Sequence, residues 1–316
     1  MKNKITNLIV IIFMVIFGVG STILLYSIIV SNGIYPSGSD TMSHVYRGDL
    51  LLKSLSGGSG YPVYDRLWYN GTEPMRYNMP LSAFLFALCE LLAGADVFKG
   101  YVFFVLAIYL AGILVFTLIG FWKKRVFIGF TLGVIWFFLP NNIYTLFVEG
   151  ELSRSVCFLI LPLLLYGIYE YLEDGRVRNL IIFTISLILL IFSNLEFSGM
   201  TVITLVVFLV FYRLYHKNRR RIIKVIAIMP LSFLCSGIVL YPYLKGSVAV
   251  ENEEYARHFF QNLLISINPM YRINSSNEVT YFGLSLLLVA VLGAMASNKR
   301  TAPGFIVSII ILLLST

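Results

Sequence analysis

Charge is what this chain has least of. Asp, Glu, Lys and Arg make up 13% of its 316 residues, where a soluble domain carries about 25%. With 58% hydrophobic residues and a mean hydropathy of +0.84, that deficit excludes a soluble globular domain and implies an integral membrane protein. Cysteine is also scarce. Cys89, Cys157 and Cys235 lie far apart inside apolar runs, with no Cys-x-x-Cys pair, so neither a disulfide framework nor a zinc site is expected. His44, His216 and His258 are scattered and form no His-Glu-x-x-His or mixed Cys/His set. The run Gly57-Gly58-Ser59-Gly60 lacks the Lys-Ser/Thr pair and strand-to-helix setting of a phosphate loop, and reads as a connector.

The charge that is present is unevenly placed. The net charge of +8 comes from short basic clusters between apolar runs: Lys2 and Lys4, Lys123 to Arg125, Arg176 and Arg178, Lys217 to Lys224, and Lys299-Arg300. That is the pattern of cytoplasmic loops, so membrane lipids and not nucleic acid are the expected partners.

The longest polar interval runs from Tyr35 to Pro80. Asp40, His44 and Arg47 stand at i, i+4 and i+7, on one face of a helix. Met42, Val45, Tyr46 and Leu50 fall largely on other faces. The spacing predicts a short helix at the membrane surface, with Ser37 or Ser39 as its N-cap. A solvated loop is the plainer reading, but the stretch is long and rich in aromatics.

The apolar segments follow in order: Ile5–Val30, Leu81–Ala95, Tyr101–Trp122, Val126–Leu139, Val156–Leu172, Leu180–Phe192, Val202–Leu214, Ile222–Leu240, Tyr281–Ala296 and Phe305–Leu314. The first is too long for a signal peptide and reads as an uncleaved anchor with the N-terminus in the cytoplasm. Leu81–Ala95 is short for a span and interrupted by Glu90. If it is re-entrant or lies on the surface, every basic cluster stays inside; if it crosses, the chain has ten crossings and most loops violate the charge rule. The expectation is an all-α, polytopic helix bundle in the cell membrane, with about nine crossings plus one partial segment. It forms a single transmembrane domain over 1–316, with surface helices in a first outer loop at 35–80 and a second large outer loop at 243–279.

This topology gathers Asp40, Asn141, Asn142, Glu149, Glu151, Arg154, Asn194 and Glu196 outside, while few charges sit in mid-span. Glu149 and Glu151 also suit an ordinary helix end, where the dipole favours acid near an N-terminus. An enzyme working at the outer membrane surface needs charges at the ends of its spans; an ion-coupled transporter keeps them at the midplane.

The order of apolar span, Gly/Ser-Asp40, His44, Arg47, Tyr61-Pro62 and Asn70-Gly71-Thr72-Glu73-Pro74 running into Pro80-Leu81 resembles a family of bacterial and archaeal membrane proteins called 6-pyruvoyl-tetrahydropterin synthase-related. These are similar to the GT-C superfamily of polytopic glycosyltransferases. The resemblance covers about the first 200 residues, and no zinc-binding histidine set supports pterin chemistry. It implies a GT-C-like bundle in which Asp40 serves as base or metal ligand and Glu149 or Glu151 is the second acidic position. No Asp-x-Asp pair is present at these sites, so a divalent metal stays open and no other cofactor is implied. Relatives usually carry further spans, so the chain is either a fragment or a short member.

The implied reaction moves a sugar from a polyprenyl-phosphate donor to an extracytoplasmic acceptor in cell-envelope glycan synthesis. A carboxylate should take the acceptor's proton, and cations should stabilise the departing phosphate. Arg47, Arg76 and Arg154 are the outer cations, with His44 beside them, and Tyr61 and Trp68 are candidates to stack on sugar rings. Headgroup anchoring and an interfacial aromatic belt account for these residues as well. A lipid or glycan transporter and a non-catalytic envelope-assembly protein are the alternatives.

Overall fold

The computed structural model describes residues 2–31, 33, 35, 38–67, 71–76, 78–216, 218–246, 283–298 and 301–314. Among them the chain is all-helical apart from the isolated bridge Asp65–Thr72. The helices are α1 (Lys2–Ser31), α2 (Thr41–Ser56), α3 (Pro80–Leu92), α4 (Val97–Trp122), α5 (Val126–Phe137), α6 (Pro140–Tyr144), α7 (Leu152–Asp174), α8 (Val177–Ser193), α9 (Leu195–Tyr215), α10 (Arg219–Cys235), α11 (Gly237–Gly246), α12 (Gly283–Met295) and α13 (Ala302–Leu314). A π-turn, Thr145–Glu149, continues α6.

Among the described residues four helices are long and apolar enough to cross a membrane: α1 over Ile11–Ser31, α4, α7 and α9. The α5–α6 pair, bent by 46°, makes a fifth if it is one broken span. The expected count was about nine. The other apolar helices are short of the ~20 residues a span needs: α8 and α10 have 17, and α3, α12 and α13 have 13.

The chain divides into two compact units: Met1–Phe197 with Ser232–Gly246, and Ser198–Leu231 with Ser247–Thr316. In the second, Tyr212 stacks on His216 with centroids 4.2 Å apart, and α12 meets α13 where Gly293 faces the Phe305 ring.

The first unit is packed as lipid-embedded helices must be, by close backbone approach and not by water exclusion. On α5, Gly129 and Gly133 form a Gly-x-x-x-Gly step against α4. A Cβ at Gly133 would lie 2.7 Å from the Ile113 Cα, and one at Gly120 would lie 2.8 Å from the Arg125 carbonyl. On α7, Gly167 does the same for α8, with the Phe183 backbone 2.7 Å away. Helix α1 leans on α4 through Tyr109 Oη, which donates to Ser21 Oγ at 2.6 Å, and on α5 through Phe17 edge-on to Phe130.

Helix α2 buries Thr41, His44, Val45, Gly48, Leu51 and Leu52, one continuous helical stripe. Leu51 and Leu52 join Met75, Ala83 and Ala87 in a small core between α2 and α3. The cap of α2 is Asp40 and not Ser37 or Ser39, and Asp40 makes no side-chain cap bond. Ser39 Oγ is turned instead to the Glu149 carbonyl, at 3.1 Å.

Both ends of α3 lie at the same end of the α4–α7 pair. Met79, Ser82 and Ala83 share a cavity with the start of α7, while Glu90 packs on Gly100 in the first turn of α4. At the far end of that pair, Lys123 pairs with Glu170 at 2.5 Å and Arg178 lies over the Trp122 ring.

Candidate functional site

The site begins with a helix break. Pro140 cannot continue α5, and the residue before it, Leu139, is held extended. Asn142 closes the open end by donating from Nδ2 to the Trp136 carbonyl at 2.6 Å. The chain then widens into the π-turn, a form frequent at functional sites, and leaves it at Gly150 with φ +77°. Glycine is required there twice over: the φ is left-handed, and a Cβ would lie 2.5 Å from the Thr41 nitrogen. Gly38 nests on the same spot, where a Cβ would meet the Gly150 Cα at 2.7 Å. Asp40 N–H donates to the Glu149 carbonyl at 3.0 Å. The start of α2 is thereby pinned to the π-turn, and His44 and Arg47 are held opposite Glu151.

A continuous polar chain results. Arg47 Nη1 lies 3.3 Å from His44 Nδ1, and His44 Nε2 lies 3.3 Å from Glu151 Oε1. Ser153 Oγ donates to Glu151 Oε2 at 2.7 Å and accepts from Asn194 Nδ2 at 3.0 Å. Asn194 Oδ1 accepts the Phe197 N–H at 2.8 Å, capping α9. The partners assign the tautomer. A guanidinium only donates, so His44 Nδ1 accepts and Nε2 carries the hydrogen that points at Glu151.

Burial acts to raise the Glu151 carboxyl, but the hydrogen bonds from His44 and Ser153 and the charge of Arg154 outweigh it and hold the group at about 2. Burial works against the Arg47 charge as well, and the Glu151 and Asp40 carboxylates oppose that effect. Glu151 is therefore an ionised carboxylate facing a half-buried cation.

These groups line a cavity of about 130 Å³. One water needs ~10–15 Å³ on this measure, so a phosphate-sized group fits. Arg47 and His44 come from α2, Asn78 from the loop before α3, Ser82 from α3, and Glu196 from α9. Three helices begin at its wall: α3 after Met79, α7 after Glu151 and α9 after Asn194. Each helix start carries a partial positive charge, so together they favour an anion.

Residues 75–316 match the 6-pyruvoyl-tetrahydropterin synthase related domain, a membrane protein family. The chain belongs to that family. No curated protein and no solved structure matches it. The matched range takes in the α3, α7 and α9 walls of the cavity and starts after Asp40, His44 and Arg47.

Of the residues singled out in the sequence, His44, Arg47 and Glu151 meet in the cavity. Asp40 and Glu149 are joined through their backbones, yet neither lines it; Asp40 is exposed, and Glu149 pairs with Arg154 Nη1 at 2.8 Å. Arg76 is bonded to Glu73 and donates to the Pro242 carbonyl at 3.3 Å. Tyr61 is exposed and stacks on Phe84. Trp68 lies outside the described residues, as does most of the second outer loop. Among the described residues no group of three or more His, Cys, Asp or Glu is placed to hold a metal ion. Ser153 and Ser82 went unnoticed in the sequence, because a serine in an apolar helix carries no signal of its own.

Proposed function

We propose that this protein is a membrane glycosyltransferase of GT-C type, moving a sugar from a polyprenyl-phosphate donor to an acceptor outside the membrane in cell-envelope glycan synthesis. The observation that carries this reading is the convergence of three helix starts and Arg47 on one cavity beside an ionised carboxylate. The helix starts and Arg47 suit the donor phosphate, on which charge builds as it leaves. Asn78, Ser82 and Asn194 offer hydrogen bonds to sugar hydroxyls, and Glu151 fixes His44. Asp40, Glu149 and Arg154 sit beside this site, on the segment that pins α2, and act by holding it. The basic residues Lys123 and Arg178 lie at the opposite end of the α4–α7 pair, which favours an extracytoplasmic cavity and a cytoplasmic N-terminus.

The test is transfer from radiolabelled polyprenyl-monophosphate sugars to envelope acceptors in membranes containing the protein. Arg47→Ala and Glu151→Gln should each lower transfer by about 100-fold, and Asp40→Asn by less. Full transfer by both cavity variants would sink the assignment.

A further inference from the structure

Resting on the transferase reading above, we infer that Glu196, in the first turn of α9, is the catalytic base that takes the proton of the acceptor hydroxyl.

Among the described residues, His44, Arg47, Glu151 and Glu196 are the ionisable groups that line the cavity. A guanidinium only donates, so Arg47 takes up no proton. Both Glu151 oxygens are engaged, Oε1 by His44 and Oε2 by Ser153, and a carboxylate so well bonded is a weak base. His44 is buried, with Glu151 on Nε2 and Arg47 on Nδ1, so each ring nitrogen already has a partner. Glu196 differs on every count. It is exposed, and among the described residues it has no hydrogen bond and no ion pair.

Its position suits the chemistry as well. Arg47 stands at one end of the hydrogen-bonded chain that runs through His44, Glu151 and Ser153 to Asn194. Glu196 follows two residues beyond the other end, on the turn that Asn194 Oδ1 caps through the Phe197 N–H. A hydroxyl that displaces a phosphate attacks the anomeric carbon from the face opposite the leaving oxygen. The cation for the phosphate and the base for the hydroxyl therefore belong at separate ends of one cavity, and Arg47 and Glu196 hold those places.

The reaction balances without a further reagent. The acceptor oxygen forms its bond to the anomeric carbon, and its proton passes to the Glu196 carboxylate. The bond from the anomeric carbon to the phosphate oxygen breaks, and its electron pair stays on that oxygen beside Arg47. An acid in a first turn also steadies its helix through the dipole, and a loss of that kind is not repaired by a diffusible carboxylate.

The experiment uses membranes containing the full chain, supplied with glucosyl, mannosyl and galactosyl polyprenyl monophosphates carrying tritium in the sugar. Glu196→Ala should lower the turnover of transfer by about 100-fold or more, the contribution of a positioned base, with KM for the donor unchanged. Added formate should restore part of the loss in Glu196→Ala and none in Glu196→Gln, whose amide fills the space. In parallel, polyprenyl monophosphate should broaden its ³¹P line equally with wild type and both variants in phosphatidylcholine nanodiscs. Undiminished transfer by Glu196→Ala, or a loss that formate leaves untouched, overturns the base role while the transferase reading stands. A variant that no longer binds the lipid phosphate also overturns it, because Glu196 then serves binding or folding. A wild type that transfers none of the three sugars overturns both.

Discussion

On one side of α2 the Glu151 carboxylate faces His44; on the other, the Glu90 carboxyl of α3 faces Asp49. Both glutamates are largely removed from solvent, with Glu90 1% exposed and the Glu151 side chain 20%. Glu151 has hydrogen-bond partners on both oxygens and a histidine and arginines around it. Neither Glu90 Oε2 nor Asp49 Oδ1 has a donor among the described residues, and Lys53 reaches only Asp49 Oδ2, at 2.6 Å. Burial, then the Asp49 charge and its hydrogen bond, raise the Glu90 carboxyl, against a smaller opposing effect of Lys53. A proton on Glu90, whose carboxyl is the raised one, supplies the missing bond. The contrast teaches that burial does not decide whether a carboxylate is a charge; its donors do.

The largest expected effect separates the two residues by stability. Glu151→Leu should lower unfolding stability in detergent by about 3 kcal/mol, since it leaves buried cationic and donor groups without their acceptor. Glu90→Gln should cost less than about 1 kcal/mol, because an amide of the same shape replaces a carboxyl that its surroundings push toward the neutral form. Equal losses would break the comparison.

The packing beneath Glu90 comes next. A Cβ at Gly100 would lie 2.8 Å from the Glu90 Cα, so Gly100→Ala must push α3 away from α4. The expected loss is about 1–3 kcal/mol by thermal unfolding. It should exceed the loss from Gly20→Ala, where a Cβ would meet nothing within 4 Å.

The last comparison is a pair of opposed pH dependences. Glu151 is held at about 2 against 4.5 unfolded, so its contribution is full above 4.5 and is lost as pH falls toward 2. Glu90 is raised above the same 4.5, so its burial costs nothing below 4.5, and stability declines as pH rises through the interval to its folded value. Glu90→Gln should remove the second slope and keep the first. A wild-type curve with only the acid limb would show that Glu90 is ionised in the fold.

Much of this was legible along the chain. The helical class, the membrane setting, the basic clusters and the short second apolar segment, α3, follow from composition and apolar run length, which act locally. The shared face of His44 and Arg47 was legible too, because helical periodicity sets which residues share a face before any tertiary contact forms. Asp40 has that same periodicity but stops at the cap, where its backbone and not its carboxylate is used. The span count was less legible, since the length of an apolar run does not tell how much of it one unbroken helix takes up.

The sequence by itself determined that this is a helical membrane protein with a polar helix carrying His44 and Arg47 on one face. Only the tertiary structure decided which acid meets them. Glu149 and Glu151 stand two residues apart and look alike in sequence, and the contact with His44 spans 107 residues. The choice was made by the π-turn and the Gly150 nest, which bond the Glu149 carbonyl to the start of α2 and turn Glu151 into the cavity. Backbone geometry at one glycine, and not the chemistry of either carboxylate, selects between them.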